Sequence, residues 1–200
     1  MGKIILTLAV LVCGYFAYTL YAYEFVLNNI REETPAQMRM GNLDADITIT
    51  AYLDYNSAES RKLNTLLFNF IARRDDVQVI IRPVSSDDPV SELAQKLALS
   101  AKNYDRFLEV HSALMSASSN FDENHMVRAI QSVGLGYETV KGQALSADIE
   151  TESMKLNGEV LLVSVDMIPT FFIRNYKMEG AEYTNKDIRD VIRDIQAGRL

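Results

Sequence analysis

Side chains able to do chemistry at neutral pH are scarce in this chain of 200 residues: one cysteine, Cys13, and two histidines, His111 and His125. A lone thiol can neither close an intramolecular disulfide nor build a cysteine-based metal site. The histidines are far apart, with no H-x-x-x-H spacing and no carboxylate pairing around them, so no metal is expected. His111 lies seven residues after Tyr104 on the apolar stripe of a predicted helix, the position of a packed, hydrogen-bonded ring. His125, among Asp122, Glu123 and Asn124 near a helix start, should be solvated. No glycine-rich phosphate loop and no Ser-His-Asp order with a supporting turn occurs, so no cofactor is expected. What remains is a pair of hydroxyls, Ser57 and Ser60, with Ala58 and Glu59 between them, directly after Asp54-Tyr55-Asn56. Serine is among the best helix N-caps, worth about 1 kcal/mol. An acid in the first turn, here Glu59, is favoured by the helix dipole. Capping therefore outweighs a catalytic role for Ser57.

These residues need elements to hold them. Ile47 to Tyr52 alternates branched and polar side chains as a strand does, and ends just before Asp54. The helix that Ser57 would cap carries Leu63, Leu66, Leu67, Phe70 and Ile71 on one face, with Arg73-Arg74 at its negative end. Val77 to Ile81 is short and continuously apolar enough for a strand buried on both faces. Strand, helix, strand with a right-handed crossover gives a parallel pair. Helices are predicted next. One runs from the Asp88-Pro89 cap to about Ala101, and one has Tyr104, Phe107, Leu108, Leu114 and Met115 on its face. A third opens at Asp122 and ends at Gly134, and a fourth runs from Ser146 to about Leu162. Strands return at Thr170 to Ile173 and Lys177 to Glu179. A final helix, capped by Thr184, has Ile188, Val191, Ile192 and Ile195 on one face.

Ile4 to Tyr23 is an uncharged run of 20 residues. As a helix rising about 1.5 Å per residue it covers the roughly 30 Å hydrocarbon core of a bilayer. Tyr15, Tyr18, Tyr21 and Tyr23 crowd one end and Lys3 the other. With positive charge inside, a single pass through the inner membrane leaves the amino terminus cytoplasmic and the later residues periplasmic. A cleaved signal is disfavoured by Leu20, three residues from the best cut after Ala22. Cys13 follows Val12 rather than the small residue of a lipidation site, and reads as an apolar residue of the span. The division expected is an anchor over 1–27, a polar linker over 28–40 containing Pro35, and a folded domain over 41–200 with helices inserted over about 88–164. Composition, 48% hydrophobic and 24% charged, is that of an ordinary globular chain. The net charge of −7 lies downstream of Lys3 and Glu24, which cancel, and argues against nucleic acid as a partner.

The order βαβ, helices, ββα, with the first late strand entered through Met167-Ile168-Pro169-Thr170, resembles the thioredoxin fold as elaborated in the DsbA-like family. The resemblance covers about residues 41–197. It rests also on Gly41-Asn-Leu-Asp-Ala-Asp46, on Asp54-Tyr55, on Arg82-Pro83-Val84 and on Ile168 to Ile173. It implies an α/β thioredoxin fold (βαβ-ββα) with an inserted all-helical subdomain, behind one N-terminal transmembrane helix. In that family a C-x-x-C pair follows Asp-Tyr-x at a helix start, where the dipole stabilises the thiolate. Here those positions read Ser57-Ala58-Glu59-Ser60, so the chain resembles a degenerate member. Serine is not appreciably ionised near neutral pH and forms no disulfide, so redox chemistry is lost. The resemblance also implies a cis Ile168-Pro169 bond. It implies a peptide groove of Ser57, Glu59, Ile168, Pro169 and Thr170 without its sulfur. Alternatively, Pro169 only starts an edge strand.

A non-catalytic protein of the bacterial envelope follows as the expected role, binding other envelope proteins as a subunit of an assembly such as a secretion or conjugation apparatus. A transferase is the alternative. Kappa-class glutathione transferases share the architecture, and Asp54, Ser57 and Ser60 fit their Asp-x-x-Ser-x-x-Ser spacing, with Ser57 facing the glutathione thiolate. Ala58 stands where that pattern has proline, and the helical insert is short.

Overall fold

The computed structural model describes residue 14, residues 24–117 and residues 121–200. Its frame is a five-stranded sheet: β1 (Arg39–Gly41), β2 (Ile47–Leu53), β3 (Val77–Pro83), β4 (Thr170–Ile173) and β5 (Tyr176–Glu179), in the order β1-β3-β2-β4-β5. The predicted parallel pair is present, with Ile49 opposite Val79; β1, β4 and β5 join antiparallel. Helix α1 occupies residues 24–33. After it come α2 (Ala58–Ile71), α3 (Pro89–Ser100), α4 (Phe107–Met115), α5 (Glu123–Ser132), α6 (Tyr137–Ala144), α7 (Ala147–Leu162) and α8 (Asn185–Gln196). The result is a mixed α/β thioredoxin-like fold with α3 to α7 inserted between β3 and β4.

Local chemistry sets the helix starts. Asp88, Asp122 and Ser146 each accept a hydrogen bond from the backbone N–H three residues on, at α3, α5 and α7. At α8, Thr184 and Asp187 form a reciprocal capping box. Gly41 ends β1 with φ +88, and a β-carbon there would meet the Val77 carbonyl at 2.8 Å, so the turn into β2 requires glycine.

Alternation along the strands builds two faces. Ile47, Ile49, Ala51 and Leu53 of β2 join Val77, Val79 and Ile81 of β3 and Phe171 and Ile173 of β4 in the main core, under α2, α8 and the inserted helices. The opposite face carries Tyr52 and Phe172, which pack with Leu27 and Ile30 of α1 and with Val84, Val163 and Val165.

Both faces draw on the segment expected as a linker, which corrects the expected boundaries. The linker over 28–40 is folded onto the domain: Ile30, Thr34, Met38 and Met40 are buried, Arg39 to Gly41 form β1, and Leu27, assigned to the anchor, has no exposed surface. The misreading has a physical cause, since a few apolar residues spaced through a polar stretch around Pro35 give low mean hydropathy yet are each buried against the domain. Thr48 and Thr50 of β2 are buried as well. Two further differences are local. Tyr104 falls in a one-turn helix, Ala101–Tyr104, separated from α4 by Asp105 at φ 55. Helix α6 was not foreseen, although Tyr137, Val140 and Ala144 bury one face at helical spacing. The apolar run 4–23, apart from residue 14, lies outside the described residues, among which no helix is long and apolar enough to cross a membrane.

Candidate functional site

The site positions gather where β2 ends. Ser57 caps α2 from extended backbone (φ −87, ψ 124), its Oγ accepting the Ser60 N–H at 3.1 Å and donating to Glu59 at 3.3 Å. Ser60 is fully buried, and its Oγ accepts the Asp54 N–H at 3.1 Å. Asp54, also buried, is saturated: its carboxylate accepts from the Asn56 N–H at 2.8 Å, the Ser86 hydroxyl at 2.8 Å and N–H at 3.2 Å, and the Ser91 hydroxyl at 2.6 Å. One carboxylate thus ties the entry of α2 to the segment after β3 and to the first turn of α3. Its full set of donors is what makes a buried charge tolerable here.

Beneath this clasp lies a second polar chain. The Tyr55 hydroxyl meets His111 Nδ1 at 3.0 Å, and His111 Nε2 meets the Asn64 amide oxygen at 2.9 Å. The amide oxygen can only accept, so Nε2 carries the proton and Nδ1 accepts from tyrosine. Burial holds the ring neutral, lowering its pKa from 6.5 to about 3. Burial, and after it the nearby Asp54 charge, raises the Tyr55 pKa above its ordinary value. The expectation of a packed, hydrogen-bonded His111 is met. His125 corrects the expectation of a solvated ring: it is half-buried, with Nε2 3.2 Å from the carbonyls of Ala113 and Leu114 near the end of α4.

Pairing of Thr170 with Tyr52 carries the start of β4 to this same end of the sheet. The Ile168–Pro169 bond is cis. Pro169 is buried and its carbonyl accepts the Gly180 N–H at 2.8 Å, while the buried Thr170 hydroxyl donates to the Met167 carbonyl at 2.6 Å. Of the five groove residues named from the sequence, Glu59 faces solvent, Ser57 and Ile168 are half-buried, and Pro169 and Thr170 are turned inward. Exposed Met167 supplies apolar surface instead, and was not singled out.

The sequence reading also missed a buried ion pair. The Arg82 guanidinium grips both carboxylate oxygens of Glu159 and donates to the Thr34 hydroxyl at 3.0 Å, joining β3, α7 and the segment after α1. An arginine inside a strand buried along its whole length was the available signal, because such a charge requires a buried partner. Both nitrogens of His111 are engaged with Tyr55 and Asn64, so this ring is not a base for either serine. Among the described residues no three His, Cys, Asp or Glu side chains converge to hold a metal ion.

Comparison with known proteins agrees with this geometry. A family described as Thioredoxin matches residues 33–194. The catalytic domain of ScsC from Proteus mirabilis superposes with a TM-score of 0.72 at 20% identity, over 86% of this chain and 97% of that one. The thiol-disulfide exchange protein alpha-DsbA2 from Wolbachia pipientis gives 0.71 at 16% identity, over 90% and 98%. A thioredoxin-like oxidoreductase from Silicibacter pomeroyi gives 0.73 at 19%, over 80% and 91%. At such identities the likeness is one of fold. The Na(+)/H(+) antiporter NhaA from Nitrosospira multiformis is 26% identical over 149 residues, 70% of this chain, and the match spans 23% of that relative's length.

Proposed function

Because this chain belongs to the thioredoxin family and has no cysteine at either redox position, we propose that it is a non-catalytic, membrane-anchored protein-binding or structural subunit of the bacterial envelope. The observation that carries the proposal is the state of the two serines. Where the family's chemistry calls for a free thiolate, the Ser57 hydroxyl caps α2 and the Ser60 hydroxyl is buried in the Asp54 clasp. The frame has been kept and the reactive group replaced by hydrogen bonds. A domain with an intact scaffold and no reacting atom is suited to holding a partner, through the surface around Ser57, Glu59, Ile168 and Met167, in an assembly of the secretion or conjugation kind.

Anchoring rests on residues 4–23, with the domain on the periplasmic side of the inner membrane. The flanking Lys3 and tyrosines support it. A tether raises the effective concentration of a weak binding module near membrane partners. Use of Ser57 as a glutathione-binding hydroxyl, the transferase alternative, has an obstacle in Glu59, whose carboxylate accepts the Ser57 hydroxyl's hydrogen bond and would face an incoming thiolate.

The test uses the full chain in detergent or native membranes. Conjugation of glutathione to a chloronitrobenzene and exchange with a reduced peptide should stay at background, while capture from membranes recovers a defined set of proteins. Conjugation that disappears in Ser57→Ala would overturn the proposal.

A further inference from the structure

Helix α7 carries more exposed apolar surface than its place in the fold explains. Leu161 is 81% exposed, Met154 66% and Leu162 64%. Positions 154, 161 and 162 share one face of the helix, and Gly158 lies on the same crest. Glycine inside a helix costs roughly 1 kcal/mol relative to alanine. A β-carbon at 158 would meet nothing within 4 Å, so internal packing does not ask for it. Its effect is a notch among exposed apolar side chains.

Beside this crest runs a furrow of about 490 Å³, with Met154, Asn157 and Leu161 on one wall and the 85–89 segment on the other. Asp87, Asp88, Glu92 and Glu150 line it as well. Lys96 bonds both Glu92 and Glu150, leaving the carboxylates in excess. The furrow opens at the serine site, since Ser86 bonds Asp54 and Asp88 bonds Asn56.

We propose that this furrow docks a cationic amphipathic segment of a partner protein, its apolar side chains against Met154, Gly158 and Leu161 and its Lys or Arg side chains toward Asp87, Glu92 and Glu150. The proposal rests on the protein-binding reading above and gives that reading a surface and a partner chemistry. Charge selects the occupant. In a symmetric pair of copies, contact through this patch would set acidic walls against each other, and an anionic lipid surface would be repelled.

The experiment places a photo-crosslinking phenylalanine analogue at Met154, Leu161, Glu59 or Phe68 of the full chain in native membranes. Expected are crosslinks from 154 and 161 to a partner segment rich in Lys or Arg, lost in Gly158→Leu, which fills the notch without an internal clash. In parallel, a 16-residue peptide of leucine and lysine is titrated against the purified full chain, with a leucine and glutamate peptide as control. Asp87→Asn with Glu150→Gln should weaken the lysine peptide roughly tenfold at low salt. Asp105→Asn with Glu138→Gln, the same charge change elsewhere, should leave it within about twofold. Crosslinks from position 59 alone would overturn the furrow while leaving the binding function standing. Crosslinks to a second copy, or equal effects of the two charge pairs, would overturn the occupant. No crosslink from any position would overturn both.

Discussion

The two faces of the sheet are held by different physics. On one, alternate residues of β2, β3 and β4 enter a broad apolar core under α2, α8 and the inserted helices. On the other, a thin cluster around Leu27, Tyr52 and Phe172 shares its face with Thr34, Thr48, Thr50, Arg82 and Glu159, all buried. The first face is non-directional and tolerant of exchange among apolar side chains. The second depends on a few partners meeting in one geometry. The contrast teaches where the fold takes its stability and where its register: burial by area on one side, a directional latch on the other.

The sharpest way to break that contrast is at the latch. Glu159→Leu leaves the Arg82 charge buried without its partner and should cost about 3–5 kcal/mol in denaturant unfolding, with most of the loss recovered when Arg82→Met is added. A double variant no better than the single one would refute the latch. On the apolar face, Leu67→Ala removes a fully buried side chain and should cost about 2–5 kcal/mol, with no second substitution elsewhere able to repair it. Smaller than either at neutral pH, and growing only on acidification, is the effect of His111. Its folded pKa is lowered to about 3, so the unfolded chain binds the proton first as pH drops below 6.5. Stability is then complete above pH 6.5 and falls between 6.5 and about 3, with a steepest slope of about 1.4 kcal/mol per pH unit. His111→Gln should remove that slope from the pH dependence of the urea midpoint. Smallest is Ser57→Ala, a lost cap worth about 1 kcal/mol, read in the same unfolding assay.

Legibility from the sequence follows the same division. Elements with a local signature were readable: the periodic face of α2, the caps at Ser57, Asp88, Asp122, Ser146 and Thr184, and the Ile168-Pro169-Thr170 entry to β4. Partnerships between residues distant in the chain were not. Arg82 and Glu159 are 77 positions apart, and nothing near either names the other. The same holds for Tyr55 with His111, and for Asp54 with Ser86 and Ser91. At the candidate site, the residue types that exclude thiol chemistry were legible, whereas the inward turn of Thr170 and the exposure of Met167 depend on how β4 docks. The folded 28–40 segment was hidden because each of its apolar residues stands alone among polar neighbours.

The Asp54 clasp also sets what it would cost to exchange Ser60 for cysteine. In the fold as it stands, the buried Ser60 hydroxyl accepts the Asp54 N–H. A thiol in that place is a weak acceptor, and a buried N–H left unsatisfied costs about 1–3 kcal/mol. Ser60→Cys would therefore incur that penalty whatever residue stands at position 57.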